Sequence, residues 1–258
     1  MNIVSRRWQE YEFLFSELVK RDFTKKYKRT ILGMAWSILS PLLNLLIMYM
    51  VFNNFFGNNV DHYVVYLFAG QLVFSYFTDA TNLGMTSLFS NSAIISKISV
   101  PKYLFLLSQN VSALINFGLT LCVFFWFVAM EGIPFTLKYF LLVIPASCLI
   151  VFNIGMGLVL SALFIFFKDI QYLWGVATQL IMWMSAIFYS IDSYSQTVRY
   201  LFLLNPLYLY IRYFRKIVID GEIPTPQFHA LCFFFALAAI CLGGWMYKKY
   251  NNEFMYYV

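Results

Sequence analysis

Hydrophobic and polar positions fall in long blocks along this chain. Residues 31–56 carry no charge at all, and uncharged or nearly uncharged blocks recur at 63–90, 103–130, 139–167, 170–191 and 228–247. About 20 apolar residues in a helix cross the hydrocarbon core of a bilayer, so the pattern predicts six transmembrane helices. Pro41 is expected to kink the first of them. The second is predicted as a long helix with a polar later part, marked by Asp79, Thr81 and Asn82. Ala80 with Gly84, and Gly157 with Ser161, have the small-residue spacing that lets two helices approach closely.

Residues 1–30 follow a different period. Trp8, Tyr11, Phe15, Leu18, Val19, Phe23 and Tyr27 recur mostly every three or four positions, with charged residues filling the other side. That is an amphipathic helix lying in the membrane interface. Its end forms a collar of Lys20, Arg21, Lys25, Lys26, Lys28 and Arg29, opposed only by Asp22. Two readings stand, a simple anchor and a gate that a lipid-linked substrate must pass. Between the second and third spans, a short helix is expected to hold Ile94, Ile95 and Ile98 out from the bundle before Pro101 restarts the next helix. Such exposed apolar side chains form a docking surface for another protein or rest on the membrane surface. Residues 195–222 are apolar enough to tempt a further span. Asn205-Pro206 breaks them, however, and Arg212, Arg215 and Lys216 follow. Each charge would cost about 2.5–3.5 kcal/mol on a lipid-exposed helix. Two short re-entrant helices entering from the extracellular side fit better.

Composition agrees with the pattern: of 258 residues, 61% are hydrophobic and 12% charged. The chain is therefore read as an all-α integral membrane protein, with one N-terminal interfacial segment and a transmembrane domain over 31–258. The net charge of +6 needs no nucleic-acid partner, because positive-inside placement accounts for it. In the predicted topology thirteen Lys and Arg lie on the cytoplasmic side and five outside. This puts both termini in the cytoplasm of a multi-pass protein in the cytoplasmic (inner) membrane. Residues 1–29 are polar and amphipathic, unlike a cleavable signal peptide. Cys122, Cys148, Cys232 and Cys241 sit singly in apolar runs, as small buried residues do.

Catalytic chemistry finds no footing. There is no GxxxxGK[ST] phosphate loop, no HExxH and no metal-type spacing of Cys and His, so neither catalytic nor metal-binding residues are assigned. His62 and His229 read as interface histidines without a role. Asp79, the lone intramembrane acid, reads as a structural hydrogen-bonding group rather than as part of a proton path. Aromatic residues make up 21% of the chain. Interfacial belts account for several of them. As a set, Trp36, Tyr49, Phe52, Phe74, Tyr76, Trp183 and Tyr189 could line a sugar-conducting channel, since aromatic faces stack on sugar rings.

The stretch RDFTKKYKRTILGMAWSILSPLL, the run from Asn91 to Lys97 followed by Val100-Pro101-Lys102, the pair Lys168-Asp169, and Asn205-Pro206-Leu207 through Arg215 occur in that order. Together they resemble the transmembrane subunits of type-2 ABC exporters of polysaccharides: O-antigen, capsule and teichoic-acid permeases. The resemblance covers nearly the whole chain. One departure is Arg212, where members of that family often carry a glutamate. The resemblance implies the type-2 ABC transporter fold and a homodimer of half-transporters. It also implies two cytoplasmic ABC ATPase subunits that bind ATP and Mg, since this chain would carry no cofactor. Residues 91–102 would be the ATPase-coupling helix, with Asn91, Ile94, Ile95, Lys97, Ile98, Pro101 and Lys102 as contacts. Arg21, Lys25, Lys26, Tyr27, Lys28 and Arg29 would meet the headgroup of a lipid-linked polysaccharide, although positive-inside anchoring explains the same charges. Rival readings are a type-2 exporter of a small lipid or drug, an ATP-independent glycan flippase or membrane glycosyltransferase, and a scaffold subunit without a path of its own.

Overall fold

The computed structural model describes residues 3–28, 30–57, 60–97, 100–192, 194–250 and 253–254. The described residues form ten α-helices: α1 (Ile3–Tyr27), α2 (Trp36–Phe56), α3 (Tyr63–Ser90), α4 (Ser92–Ile95), α5 (Tyr103–Met130), α6 (Val143–Phe166), α7 (Ile170–Met184), α8 (Gln196–Phe202), α9 (Pro206–Val218) and α10 (Pro226–Tyr250). Short 3-10 turns at Gly33–Ala35 and Leu137–Leu142 lead into α2 and α6. Gly33 takes a positive φ of 52°, which turns the chain sharply between α1 and α2. α2 continues through Pro41 without a break. At the start of α9, Asn205 accepts a hydrogen bond from the Leu207 amide at 3.0 Å and Pro206 occupies the first helical position.

α3 and α5 begin and end where the hydrophobic pattern puts them. Among the described residues four stretches are long and apolar enough to cross a membrane: Gly33–Phe56, Tyr103–Met130, Leu137–Phe166 and Pro226–Tyr250. α3 has the length, at 28 residues, but Gln71, Ser75, Asp79 and Thr81 keep it below that apolar standard. The predicted fifth span is shorter than expected. α7 stops at Met184 after 15 residues, about 22 Å of helix against a hydrocarbon core of about 30 Å. Residues 185–191 instead turn back, with Ala186 at a φ of 49°.

α6 is the central helix and α2 the most peripheral. α6 packs most extensively on α10 and α3, and α3 in turn on α5. Glycine permits the tightest of these contacts. A Cβ on Gly155 of α6 would lie 2.4 Å from the Ala239 carbonyl carbon of α10, and one on Gly243 would lie 2.6 Å from the Gly155 oxygen. Gly84 and Gly157, both predicted to be approach points, do face each other across α3 and α6, with a Gly84 Cβ placed 3.1 Å from the Gly157 Cα. α9 is buried over most of its surface, with Leu207, Leu209, Tyr210, Ile211, Tyr213, Phe214 and Ile217 in the main core. By contrast α2, α7 and α10 each keep an apolar outer face, such as Met50 and Phe55, Val176 and Leu180, Phe234 and Leu237. The cysteines divide: Cys148 and Cys232 are buried as expected, whereas Cys122 and Cys241 are exposed on the outer faces of α5 and α10.

Candidate functional site

The basic end of α1 is tied down by an acid that the sequence shows only as a minor counter-charge. Asp22 turns inward to the bundle with its side chain 2% exposed. One carboxylate oxygen accepts from Arg21 Nε at 2.9 Å and from its terminal nitrogen at 2.6 Å; the other accepts from Ser108 Oγ of α5 at 2.9 Å. The same Arg21 nitrogen donates to Asn91 Oδ1 at 2.7 Å, and Asn91 Nδ2 donates to the Ser87 carbonyl at 2.7 Å. Asn91 stands at the start of α4, so a single guanidinium joins α1 to the α3–α4 junction. Beneath it Leu18, Leu88, Ile95, Phe105, Leu106, Ile165 and Tyr247 form a second apolar core. Asp22→Ala removes the acceptor for three of these bonds. It should weaken the docking of α1 by about 1.5–3 kcal/mol, the scale for hydrogen bonds to a charged group. Faster amide exchange over α1, with α6 unchanged, is the expected observation.

This core corrects the reading of α4 as an apolar handle. Ile95 is buried and Ile94 packs half-buried against the same cluster, because both side chains turn back onto α5 and the ends of α6 and α10. The surface α4 presents outward is Ala93, Ser96 and Lys97. Pro101 precedes α5, and Lys102 lies 5.5 Å from the Phe254 ring centre, where desolvation lowers its pKa. Ile98 and Arg29 fall outside the described residues, as does the side chain of Tyr27. Lys25 and Lys28 are exposed.

Lys26 meets Asp79 of α3 at 2.8 Å. The pair stands at one end of a 440 Å³ cleft between α1, α2, α3 and α5. Hydroxyls and amides line much of it: Ser37, Ser40, Asn44, Gln71, Asn116 and Thr120. Gln71 donates to the Pro41 carbonyl at 3.1 Å, while its own carbonyl oxygen is buried without a partner among the described residues. Asp79 thus makes the hydrogen bond between helices that the sequence suggests, with Lys26 of α1 as its partner.

Of the seven aromatic channel candidates, Trp36 and Tyr76 line this cleft, and Tyr76 is tilted against Phe117 with ring centres 4.6 Å apart. Phe52, Trp183 and Tyr189 gather at the other end of the bundle: Phe52 stacks on Phe188 at 4.4 Å, Trp183 lies 5.3 Å from Phe188, and the Tyr189 hydroxyl donates to the Trp183 carbonyl. Phe74 packs half-buried against the main core and Tyr49 is exposed on α2. The candidates therefore divide between two places.

At that second end the charges of α9 have unequal roles. Arg215 is buried, not set against lipid. It donates to the Tyr66 carbonyl at 3.1 and 3.2 Å, to that of Ala186 at 2.9 Å and to that of Ile187 at 2.9 Å, and it lies 3.4 Å from the Tyr66 ring centre. Arg212 bonds the Tyr208 hydroxyl at 2.5 Å and remains 3.7 Å from Asp192. Asn205, beyond capping α9, donates to the Met184 carbonyl at 3.1 Å and to Ser185 Oγ at 3.0 Å. The histidines also have partners. His62 pairs with Glu131 at 2.8 Å; His229 contacts the Tyr213 hydroxyl at 2.7 Å and the Thr225 carbonyl at 3.0 Å. Among the described residues no group of His, Cys, Asp and Glu could hold a metal ion.

Comparison with known proteins covers this whole arrangement. Residues 14–219, from the middle of α1 past the end of α9, match the family described as ABC-2 type transporter. The chain is 24% identical over 247 residues to an O-antigen export system permease protein RfbA of Klebsiella pneumoniae, covering 94% of this chain and 95% of that one. A second RfbA of the same organism is 26% identical over 214 residues, 81% and 82% of the two chains. RfbA of Myxococcus xanthus is 23% identical over 226 residues, 86% of each. With a match that runs from the middle of α1 past the end of α9, through both ends of the bundle, this chain belongs to the ABC-2 transporter family.

Proposed function

We propose that this chain is the membrane half of an ATP-driven exporter that moves a lipid-linked polysaccharide out of the cytoplasm. The observation that carries this reading is the hydroxyl- and amide-lined cleft standing beside the basic end of α1 and closed by Lys26 and Asp79. A phosphate-bearing headgroup arriving along the interfacial helix meets Lys26 first. Charge-assisted hydrogen bonds to it replace the Lys26–Asp79 pair, whose members are 38% and 47% exposed and so only weakly held. The first sugars then find acceptors and donors in Gln71, Asn116 and Thr120.

In this reading the α4 end of the bundle faces the cytoplasm, both termini lie there, and the membrane is the cytoplasmic (inner) one. α3 and α7 complete six spans, and α8 and α9 are the re-entrant pair on the extracellular side. Two copies associate through their apolar outer faces, because one six-helix subunit hardly encloses a glycan channel. Two ATPase subunits dock at α4 and the residues after it, through Ala93, Ser96, Lys97 and Lys102 rather than through the buried Ile95. Arg21, bonded at once to Asp22 and Asn91, carries their movement to α1.

The test is purification with the cognate ATPase and measurement of ATP hydrolysis with and without a lipid-linked glycan. Stimulation by the glycan is expected in the unaltered complex and should fall roughly tenfold in Lys26→Ala, with assembly unchanged, since a charge-assisted contact is removed. A complex whose hydrolysis ignores the glycan rejects the reading.

A further inference from the structure

At the α9 end of the bundle, away from the entry cleft, lies a second cavity of 540 Å³. Its walls come from α9, from the turn before α3 and from residues 190–192. Arg215 forms part of its lining but spends four of its five N–H donors on three backbone carbonyls. Two other cations in the wall are less committed. Arg212 has five N–H donors, of which one serves the Tyr208 hydroxyl. Its nearest carboxylate, Asp192, remains at 3.7 Å, and Lys216 stands 3.6 Å from Glu222. Both separations exceed a charge-assisted hydrogen bond of about 2.7–2.9 Å.

Exposure sharpens the contrast. The two cations keep only 28% and 23% of their side-chain surface in solvent, whereas Asp192 and Glu222 keep 72% and 67%. Asp61 and Asp220 line the cavity as well, so its acids match its cations in number, but Asp61, Asp192 and Asp220 are all exposed whereas Arg212 and Lys216 are held inward. A cation held inward with its counter-ion loose in solvent can exchange that counter-ion for a better-placed anion. Tyr66 and Tyr208 add aromatic surface and a hydroxyl beside the same wall.

We infer that this cavity is a binding site for an anionic group, a carboxylate or phosphate carried on a hydroxyl-rich ring or headgroup, which Arg212 and Lys216 grip as Asp192 and Glu222 swing away. Arg212 offers the planar fork and Lys216 the point charge. The tyrosines lie against the ring. An acidic sugar of a glycan and the headgroup of an anionic phospholipid both present this chemistry. The site is independent of the entry cleft, so its failure leaves the proposed function standing.

The experiment is calorimetric titration of the purified full-length permease in detergent micelles. The probes are D-glucuronate, D-glucose 6-phosphate, uncharged D-glucose, and short-chain phosphatidylglycerol against short-chain phosphatidylcholine. Saturable binding of the two acidic sugars is expected, with none for glucose, weakened roughly tenfold in Arg212→Gln and in Lys216→Gln. Binding of phosphatidylglycerol alone, lost in the same variants, retains the anion site and gives it to a lipid headgroup. Asp192→Asn provides a check that loss of fold cannot imitate, because removing the competing carboxylate should tighten binding. Absence of binding by every anionic probe, binding unchanged in both cation variants, or weaker binding in Asp192→Asn overturns the inference.

Discussion

Arg215→Leu should destabilise the α9 end of the bundle by about 3–5 kcal/mol, the cost of removing one partner from a buried charged network. Four hydrogen bonds to three carbonyls disappear together, and leucine offers nothing to the carbonyls of Tyr66, Ala186 and Ile187. The site is built around the guanidinium. Gly70 leaves the opening through which it reaches α3; a Cβ there would lie 2.9 Å from the terminal nitrogen. Ala186 adopts a left-handed backbone, uncommon for a residue with a side chain, and its carbonyl and the next both meet Arg215. Arg215→Lys should recover only part of the loss, because an ammonium on a flexible stem cannot span three acceptors as a planar fork does. Measured by thermal unfolding in detergent, the order of stability is unaltered chain, then Lys, then Leu. Leucine matching the unaltered chain would mean that the carbonyls find other donors.

The same residue shows what a sequence withholds. Helices that bury an apolar stripe announce themselves by period and length, and for that reason the bounds of α3 and α5 were legible. α7 ends short of the hydrophobic run because its last turn meets partners remote in the chain: Asn205 bonds the Met184 carbonyl, and Arg215 those of Ala186 and Ile187. The hydrophobic run continues to Ile191, but the backbone follows the hydrogen bonds. Ile95 is buried for a similar reason. An isoleucine on a polar loop looks exposed until Leu18, Phe105 and Tyr247, drawn from three distant elements, close over it. Asp22 and Ser108 are 86 residues apart, and nothing local marks them as partners. Trp36, Tyr76 and Lys26 stand out in the sequence by residue type, and the fold brings these three to one cleft. Its polar lining does not stand out, because Ser, Asn and Gln scattered over α2, α3 and α5 look incidental until the helices align them.

Gly155→Ala is the second large effect, and it comes from a single added carbon. The new Cβ would sit 2.4 Å from the Ala239 carbonyl carbon and 2.5 Å from the Ile240 nitrogen. Those atoms belong to a helix backbone, which cannot rotate aside as a side chain can. α6 and α10 must therefore part along the most extensive contact in the bundle, which also carries Gly243 against the Gly155 oxygen. Overpacking of this kind costs about 1–3 kcal/mol where side chains can yield, and the upper end or beyond is expected where backbone must move. Membrane helices gain little hydrophobic drive towards one another, so close packing carries much of their cohesion. Gly118→Ala in α5 supplies the contrast: nothing lies within 4 Å of its Cβ position, and alanine's helix propensity favours it by about 0.8–1 kcal/mol in a helix interior. Gly155→Ala should lower the midpoint of thermal unfolding and broaden the size-exclusion peak of the purified chain, while Gly118→Ala leaves both unchanged or raises the midpoint. Equal behaviour of the two variants would show that α10 does not rest on α6 at the distance described.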